Sequence, residues 1–131
     1  HTADFTTEQL WARPHELTSA GFHIRHIGGS IDRLATYLRG GALSPEQLAA
    51  LKQEGEPGAS REELLAAVAH AMAACEAYLR TIDPATLRDA RGIGRKQLPT
   101  TVHGLIVHIA EHTFRHLGQA ITTIKLVRAL G

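Results

Sequence analysis

Residues 107–119 read VHIAEHTFRHLGQ, with a histidine at every fourth position: His108, His112 and His116. In an α-helix, residues four apart lie one turn apart on the same face, so these three imidazoles form a row. Two neighbouring imidazoles in such a row can bind one metal ion. Because the first and third lie about 12 Å apart along the axis at a rise of 1.5 Å per residue, we expect one of the three not to be a ligand.

The angular positions of these histidines around the helix favour one pair. The solvent side of the helix is marked by charged residues, namely Glu111, Arg115, Lys125 and Arg128. At about 100° per residue, His116 lies about 40° from the opposite, core-facing direction, His112 about 80° and His108 about 120°. We therefore interpret His112 and His116 as candidate metal ligands. The alternative is that they are ordinary hydrogen-bonded or solvated histidines of a helix.

The pattern of apolar residues predicts an all-α protein. Apolar residues recur every three or four positions in three long segments, which predicts helices over about residues 19–39, 60–82 and 99–129. Shorter helices are predicted to follow Thr6 and Ser44, because each of these hydroxyl residues has a glutamine three positions later. No segment alternates polar and apolar residues over the length of a strand, so we expect a helical bundle with short extra helices.

Two segments between these helices are expected to be irregular. Residues 54–58, EGEPG, have the composition of a surface loop. Residues 83–99 are predicted as a long loop before the last helix, and a loop of such length often covers a functional site. Its basic residues Arg95 and Lys96 follow Gly-Ile-Gly, but a phosphate-binding glycine loop is disfavoured because no strand precedes it and the motif is incomplete.

Length and composition limit the class of protein. The chain has 131 residues, 44% of them hydrophobic and 21% charged, which fits a single domain over residues 1–131. A net charge of +1 indicates neither a nucleic-acid nor an anionic-membrane partner. No apolar run approaches the roughly 18 residues of a membrane-spanning helix. Cys75 lies on the apolar face of a predicted helix, so we expect it to be a core residue. It is the only cysteine and cannot form a disulfide within the chain, which agrees with the expectation of a soluble, cytoplasmic protein.

A metal site that keeps one position open for water or substrate needs a third protein ligand, which a second helix must supply. Residues 22–26, FHIRH, offer His23 and His26 in the first long helix. The apolar residues of that helix centre its core face nearer to His23. On this pattern alone, both histidines remain candidates.

Two segments of the chain resemble the DinB-like superfamily of metal-binding four-helix bundles, which includes the bacillithiol transferases and the mycothiol-dependent maleylpyruvate isomerases. Residues 26–34, HIGGSIDRL, resemble the family's early-helix segment, whose single histidine is a metal ligand. Residues 112–119, HTFRHLGQ, resemble the family's late H-x-x-x-H followed by x-G-Q. The resemblance implies that His26, His112 and His116 bind a divalent metal ion, with zinc or nickel favoured and iron as a further candidate.

The resemblance also implies a DinB-like four-helix bundle that forms a homodimer. The family has a full helix before the equivalent of Asp4, and we expect this helix to be missing from the chain. His23 and His108 lie one turn from predicted ligands, so they and Gln119 are candidates for contacts to a ligand or substrate. Arg95 and Lys96 are candidate contacts to an acidic substrate. No catalytic residue is identified.

The resemblance further implies that the chain is a metal-dependent thiol transferase or hydrolase. Three neutral imidazoles leave the ion's charge uncompensated, which lowers the pKa of bound water towards roughly 7 and favours ionisation of a bound thiol. The expected partner is a small-molecule substrate, with a low-molecular-weight thiol as the candidate nucleophile. The alternative is a module without catalysis, which would either bind a metal or serve as a helical dimerisation domain.

Overall fold

The computed structural model describes residues 1–131, and helices dominate it, as the apolar pattern predicts. In chain order the elements are α1 (Thr7–Trp11), α2 (Ala20–Leu38), α3 (Pro45–Lys52), α4 (Arg61–Leu79), β1 (Ala90–Ile93), β2 (Leu98–Thr101) and α5 (Val102–Leu130). The all-α class is confirmed, with one two-stranded sheet added to it.

Each helix begins where a side chain can satisfy its free backbone N–H groups. The hydroxyl oxygens of Thr6, Ser44 and Ser60 each accept a hydrogen bond from the backbone N–H three residues later, and the side chain at that position accepts from the cap's own N–H. Ser19 and Thr101 cap α2 and α5 through their hydroxyl oxygens alone. The predicted starts of the helices at Thr6, Ser44 and Ser60 are therefore confirmed.

Helix α2 lies at the centre and packs against both α4 and α5. One apolar cluster joins Ile24 of α2 to Ile124 of α5, and another joins Leu34 to Leu105, so α2 and α5 run in opposite directions. A third cluster between them contains Ile27, Ile31, Ala35 and Cys75. Cys75 is a buried free thiol, as expected for a core residue, and burial raises its pKa.

The prediction of an irregular loop over residues 83–99 is wrong in part. Strands β1 and β2 pair antiparallel, with Ile93 opposite Leu98. The connection between them contains two residues with positive φ, Gly94 at 75° and Gln97 at 50°. Strands of four residues are too short to establish a period-two pattern, which explains why the sequence did not indicate them. The hairpin is attached to α2 by Arg91, whose Nε donates to the carbonyl of Leu38 at 2.8 Å.

One apolar groove is open to solvent between α4 and α5, and we call it the α4–α5 groove. It encloses about 360 Å³ and is lined by residues that include Ile31, Met72, Cys75, Leu79, Ile109 and Phe114. Phe114 is 72% exposed and Met72 is 53% exposed. Leu117, also on α5, is 42% exposed. None of the helices combines the length and apolarity needed to cross a membrane.

Candidate metal centre

The three histidines predicted as ligands lie together on facing turns of α2 and α5. His26 comes from the first half of α2, and His112 and His116 come from consecutive turns in the middle of α5. One nitrogen from each ring can be chosen so that all three lie within 4.8 Å of one another. All three side chains are half-buried. The structure thus brings together a set of three nitrogen donors from two helices.

The antiparallel packing of α2 and α5 explains this convergence. Ile24 lies in the cluster that contains Ile124, and Ile27 and Ile31 lie in the cluster that packs against Ile109. His26 falls between these two levels of α2 and therefore faces the α5 turns that lie between Ile109 and Ile124. Phe22, one turn earlier, stacks on the His26 ring with centroids 5.3 Å apart and planes 11° apart. This contact limits rotation of the ring.

His26 is held by a buried carboxylate. Its Nδ1 lies 2.6 Å from Oε2 of Glu54, which follows α3, and Arg33 donates through Nη1 to Oε1 of the same carboxylate at 2.5 Å. Glu54 is only 4% exposed. Burial by itself would raise the pKa of Glu54, but the hydrogen bonds from His26 and Arg33 outweigh it and lower the pKa below its usual value. An ionised carboxylate only accepts, so Nδ1 of His26 carries a proton.

His112 has a different kind of neighbour. Its Nε2 lies 3.0 Å from Nε2 of His26, and its Nδ1 lies 3.1 Å from Nη2 of Arg115. Arginine only donates, so Nδ1 of His112 accepts, and a neutral His112 ring then carries its proton on Nε2. Burial, followed by the charges of His26 and Arg115, lowers the pKa of His112 below its usual value. His112 is therefore a neutral ring near pH 7.

His116 contacts the other candidate from α2. Its Nδ1 lies 3.0 Å from Nδ1 of His23, which is 6% exposed. Burial, with smaller contributions from the neighbouring histidines and from Arg115, lowers the pKa of His116 to about 4. Burial and then the charge of His26 lower the pKa of His23 as well. Of the two candidates from α2, His23 thus contacts His116, while His26 contacts both His112 and His116.

The remaining predicted residues lie around this cluster at different distances. His108 stacks on His112, with ring centroids 5.7 Å apart and planes 14° apart. Arg95 and Lys96 are both exposed, but only Arg95 lines a cavity next to the histidines. Gln119 is exposed and borders a separate surface cavity together with His23. The structure therefore places His108 and Arg95 at the cavity that His26 and His112 line, but neither Lys96 nor Gln119.

The cavity next to the histidines is named the site cavity. It encloses about 270 Å³ and has His26 and His112 in its wall. Its other lining residues are Ser30, Arg33, Leu34, Tyr37, Leu43, Leu51, Ile93, Gly94, Arg95 and His108. The lining thus combines apolar side chains, such as Leu34, Leu43 and Leu51, with polar ones, and the hairpin contributes Ile93, Gly94 and Arg95 to it.

The donor set fits a divalent ion of the zinc, nickel or iron type. Imidazole nitrogen suits these metals, and three protein ligands are the number found in catalytic zinc sites. His26 directs the unprotonated Nε2 towards His112, as a ligand must, because Glu54 accepts from its Nδ1. His112 meets the same requirement only when its proton moves from Nε2 to Nδ1, which needs Arg115 to turn away.

Sequence reasoning missed Glu54 and gave Arg33 no role. The segment 54–58 was expected to be a surface loop, and this is wrong for Glu54, whose side chain turns inward to His26 and Arg33. A ligand histidine commonly donates its second N–H to a carboxylate, so an acidic partner for His26 could have been sought. Nothing in the spacing selects one among the 13 acidic residues.

Comparison with known families agrees with this architecture. The sequence model of the DinB superfamily matches residues 1–120. The chain therefore belongs to the DinB superfamily, as the segments 26–34 and 112–119 indicated. No curated protein matches the chain.

Proposed function

We propose that this chain is a metal-dependent enzyme in which His26, His112 and His116 hold one divalent ion, zinc or nickel, and activate a thiol or water. The reaction would be transfer of a low-molecular-weight thiol to a small electrophile, or hydrolysis. The observation that carries the proposal is the convergence of three imidazoles from two helices within 4.8 Å, two of which, those of His26 and His112, lie in the wall of a cavity. Membership of the DinB superfamily supports the same assignment.

A divalent ion bound there would act as a Lewis acid that favours the ionised form of a thiol or of water. The chain's own residues supply binding and orientation. Leu34, Leu43 and Ile93 give the site cavity an apolar surface for the body of a small substrate. Arg33 also lines the cavity, but its charge is already paired with Glu54.

Arg95 is the residue that we propose as the contact for an acidic group of the substrate. It lines the site cavity, and it has no carboxylate within ion-pair distance. Lys96, its neighbour, is likewise exposed but does not line the cavity, and it serves as the matched control. With an acidic substrate, Arg95→Met should raise KM by about tenfold and change kcat little, the result expected when a binding contact is lost. Lys96→Met should leave both constants unchanged.

Metal binding is the first test of the proposal. Protein prepared without a histidine tag is titrated with zinc or nickel, and bound metal is counted after desalting. We expect about one ion per chain in the wild type, and loss of binding in His112→Ala. His70→Ala removes an exposed histidine from α4 and should bind as the wild type does. Fewer than about 0.2 ions per wild-type chain would overturn the proposed site.

Turnover is the second test, and it separates an enzyme from a module that only binds metal. The loaded protein is assayed for consumption of an electrophile with bacillithiol, mycothiol or glutathione, and for hydrolysis of an activated ester. We expect turnover with one of these that disappears in His112→Ala. Metal binding without turnover on any of them would contradict the enzymatic proposal and leave a metal-binding module.

We also propose that the protein acts as a homodimer in the cytoplasm. The α4–α5 groove supports dimerisation, because exposed apolar side chains such as Phe114 and Met72 are suited to burial against a second copy. The single buried thiol supports a reducing compartment. Phe114→Ser should lower the molar mass measured by sedimentation from dimer to monomer, while Leu98→Ser, an exposed apolar residue on the hairpin, should not. A monomeric wild type would contradict the dimer.

A further inference from the structure

We propose that Glu54 is a positioning residue for His26: its buried carboxylate selects the imidazole tautomer and ring orientation with which His26 faces His112 and His116. The consequence for metal affinity rests on the function proposed above. The effect on the imidazole itself does not, because it concerns the protein without a metal.

The contacts of Glu54 are the first support. Oε2 accepts from Nδ1 of His26 at 2.6 Å, and Oε1 accepts from Nη1 of Arg33 at 2.5 Å. Both carboxylate oxygens are thus used, and the side chain is only 5% exposed. With the proton of His26 on Nδ1, the lone pair of Nε2 points to Nε2 of His112, 3.0 Å away. Glu54 therefore keeps the inward nitrogen of His26 unprotonated, as binding of a cation requires.

Gly29 is a second and independent support. A Cβ atom at position 29 would lie 2.5 Å from Oε1 of Glu54 and 2.8 Å from Nη1 of Arg33, closer than real Cβ atoms approach such groups. Glycine inside a helix costs about 1 kcal/mol relative to alanine. At this position, the absence of a side chain leaves room on α2 for the carboxylate and its arginine. The helix surface therefore has a recess that fits Glu54.

The loop that carries Glu54 is anchored to α2 by a third contact. Nη1 of Arg25 donates to the carbonyl oxygen of Gln53 at 2.9 Å and to that of Glu56 at 2.6 Å. These two carbonyls lie on either side of Glu54, so the backbone is fixed without help from the carboxylate. Helix α2 thus holds both the loop and its acidic side chain, which is the arrangement expected of a fixed partner for His26.

A carboxylate partner of this kind affects both the orientation of the His26 ring and the charge next to it. A carboxylate that accepts from the outer nitrogen of a ligand histidine makes the inner nitrogen more basic, and loss of such a partner typically lowers metal affinity by about 10–100-fold. In addition, the pair of Glu54 and Arg33 is neutral overall, so the ligand gains a negative neighbour without adding net charge to the buried region.

The test compares Glu54→Gln with Glu56→Gln, a change to an exposed glutamate of the same loop. Zinc affinity is measured by competition with a chromophoric chelator. We expect Glu54→Gln to weaken zinc binding by about 10–100-fold and Glu56→Gln to change it by less than about twofold. Gly29→Ala keeps the carboxylate but fills its recess, and it should weaken binding in the same direction while retaining the helix.

A second measurement reports the tautomer of His26 in the protein without metal, through long-range proton–nitrogen NMR correlations of the imidazole. The wild type should carry its proton on Nδ1, and Glu54→Gln and Gly29→Ala should both increase the Nε2-protonated form. Glu54→Asp retains the charge but shortens the side chain, so it should fall between the wild type and Glu54→Gln in both measurements.

The proposal is overturned if Glu54→Gln and Gly29→Ala bind zinc like the wild type and keep the His26 proton on Nδ1, even when they lower the melting temperature. If Glu54→Gln does not fold, Gly29→Ala and Glu54→Asp decide the question by the same measurements. A wild type that binds no zinc would overturn the proposed function, whereas the tautomer measurement would still support or overturn the role of Glu54.

Discussion

The two helices that meet at the candidate metal centre give the Nδ1 atoms of their histidines opposite hydrogen-bonding roles. On the α2 side, Nδ1 of His26 donates to Glu54, a buried carboxylate. On the α5 side, Nδ1 of His112 accepts from Arg115, a cation whose side chain is 52% exposed. The α2 side therefore has the proton arrangement of a ligand before any ion arrives. The α5 side has to change, because the nitrogen of His112 that faces His26 carries a proton until Arg115 leaves.

This difference separates a fixed half of the site from an adjustable half. Buried partners that pack against glycine cannot move without disturbing the core, whereas an exposed arginine on a helix surface turns at little cost. The two halves should therefore respond differently to equivalent substitutions.

The largest expected effect is a loss of unfolding free energy on the α2 side, which appears when the arginine on each side is removed in turn. Arg33→Met leaves Glu54 buried and without its cation, and breaking a buried ion pair in this way costs about 3–5 kcal/mol of unfolding free energy. Arg115→Met removes an exposed arginine paired with Glu111, and such pairs contribute about 1 kcal/mol or less. Chemical denaturation of the metal-free proteins measures both. Equal losses for the two variants would contradict the contrast between the halves.

A smaller effect is expected for zinc affinity on the α5 side, where removal of the arginine should strengthen binding. Arg115→Met removes both a cation near the ion and the donor that keeps the Nε2 proton on His112. An exposed charge at a few ångströms contributes about 1 kcal/mol, so zinc affinity should rise by about fivefold. Arg80→Met is the matched control, because Arg80 forms the same kind of exposed pair with Glu76 on α4. Weaker zinc binding in Arg115→Met would argue that the arginine supports His112.

The smallest effect concerns the pH dependence of the metal-free protein. His116 has a pKa of about 4 in the folded chain against a usual value of 6.5, so the unfolded chain binds more protons in this interval. Its contribution to stability is therefore complete above pH 6.5 and is lost as the pH falls towards 4. Melting temperatures across this interval should fall less steeply in His116→Asn than in the wild type. If the melting temperatures of the two proteins fell equally steeply with pH, this would contradict the lowered pKa of His116.

The parts of the structure that could be predicted from the sequence are those fixed by local geometry. The helical repeat places His112 and His116 one turn apart, and the hydroxyl caps at Ser44 and Ser60 mark where helices begin. These features involve residues three or four positions apart. The helical fold followed from the same periodicity and is confirmed, while metal binding by the three histidines stays a prediction.

The parts that could not be predicted depend on how helices rotate and where loops return. The apolar face of α2 left both His23 and His26 as candidates, and only the packing against α5 distinguishes their contacts. Glu54 meets His26 across 28 positions of sequence, through a loop whose path no local pattern determines. The hairpin was missed because its turn depends on positive φ at Gln97, a residue not typical of that conformation.

The separation of the facing histidines along the chain has a mechanical consequence. His26 and His112 are 86 positions apart, and in the metal-free chain their helices are held together at this level by apolar packing and by the contacts between their histidines. An ion bound to both would be a cross-link closing a long loop, which removes conformations from the unfolded chain. The same ion would then hold the two helices to each other. Its loss would weaken the packing of α2 against α5 in the wall of the site cavity, in addition to removing any reaction that depends on the ion.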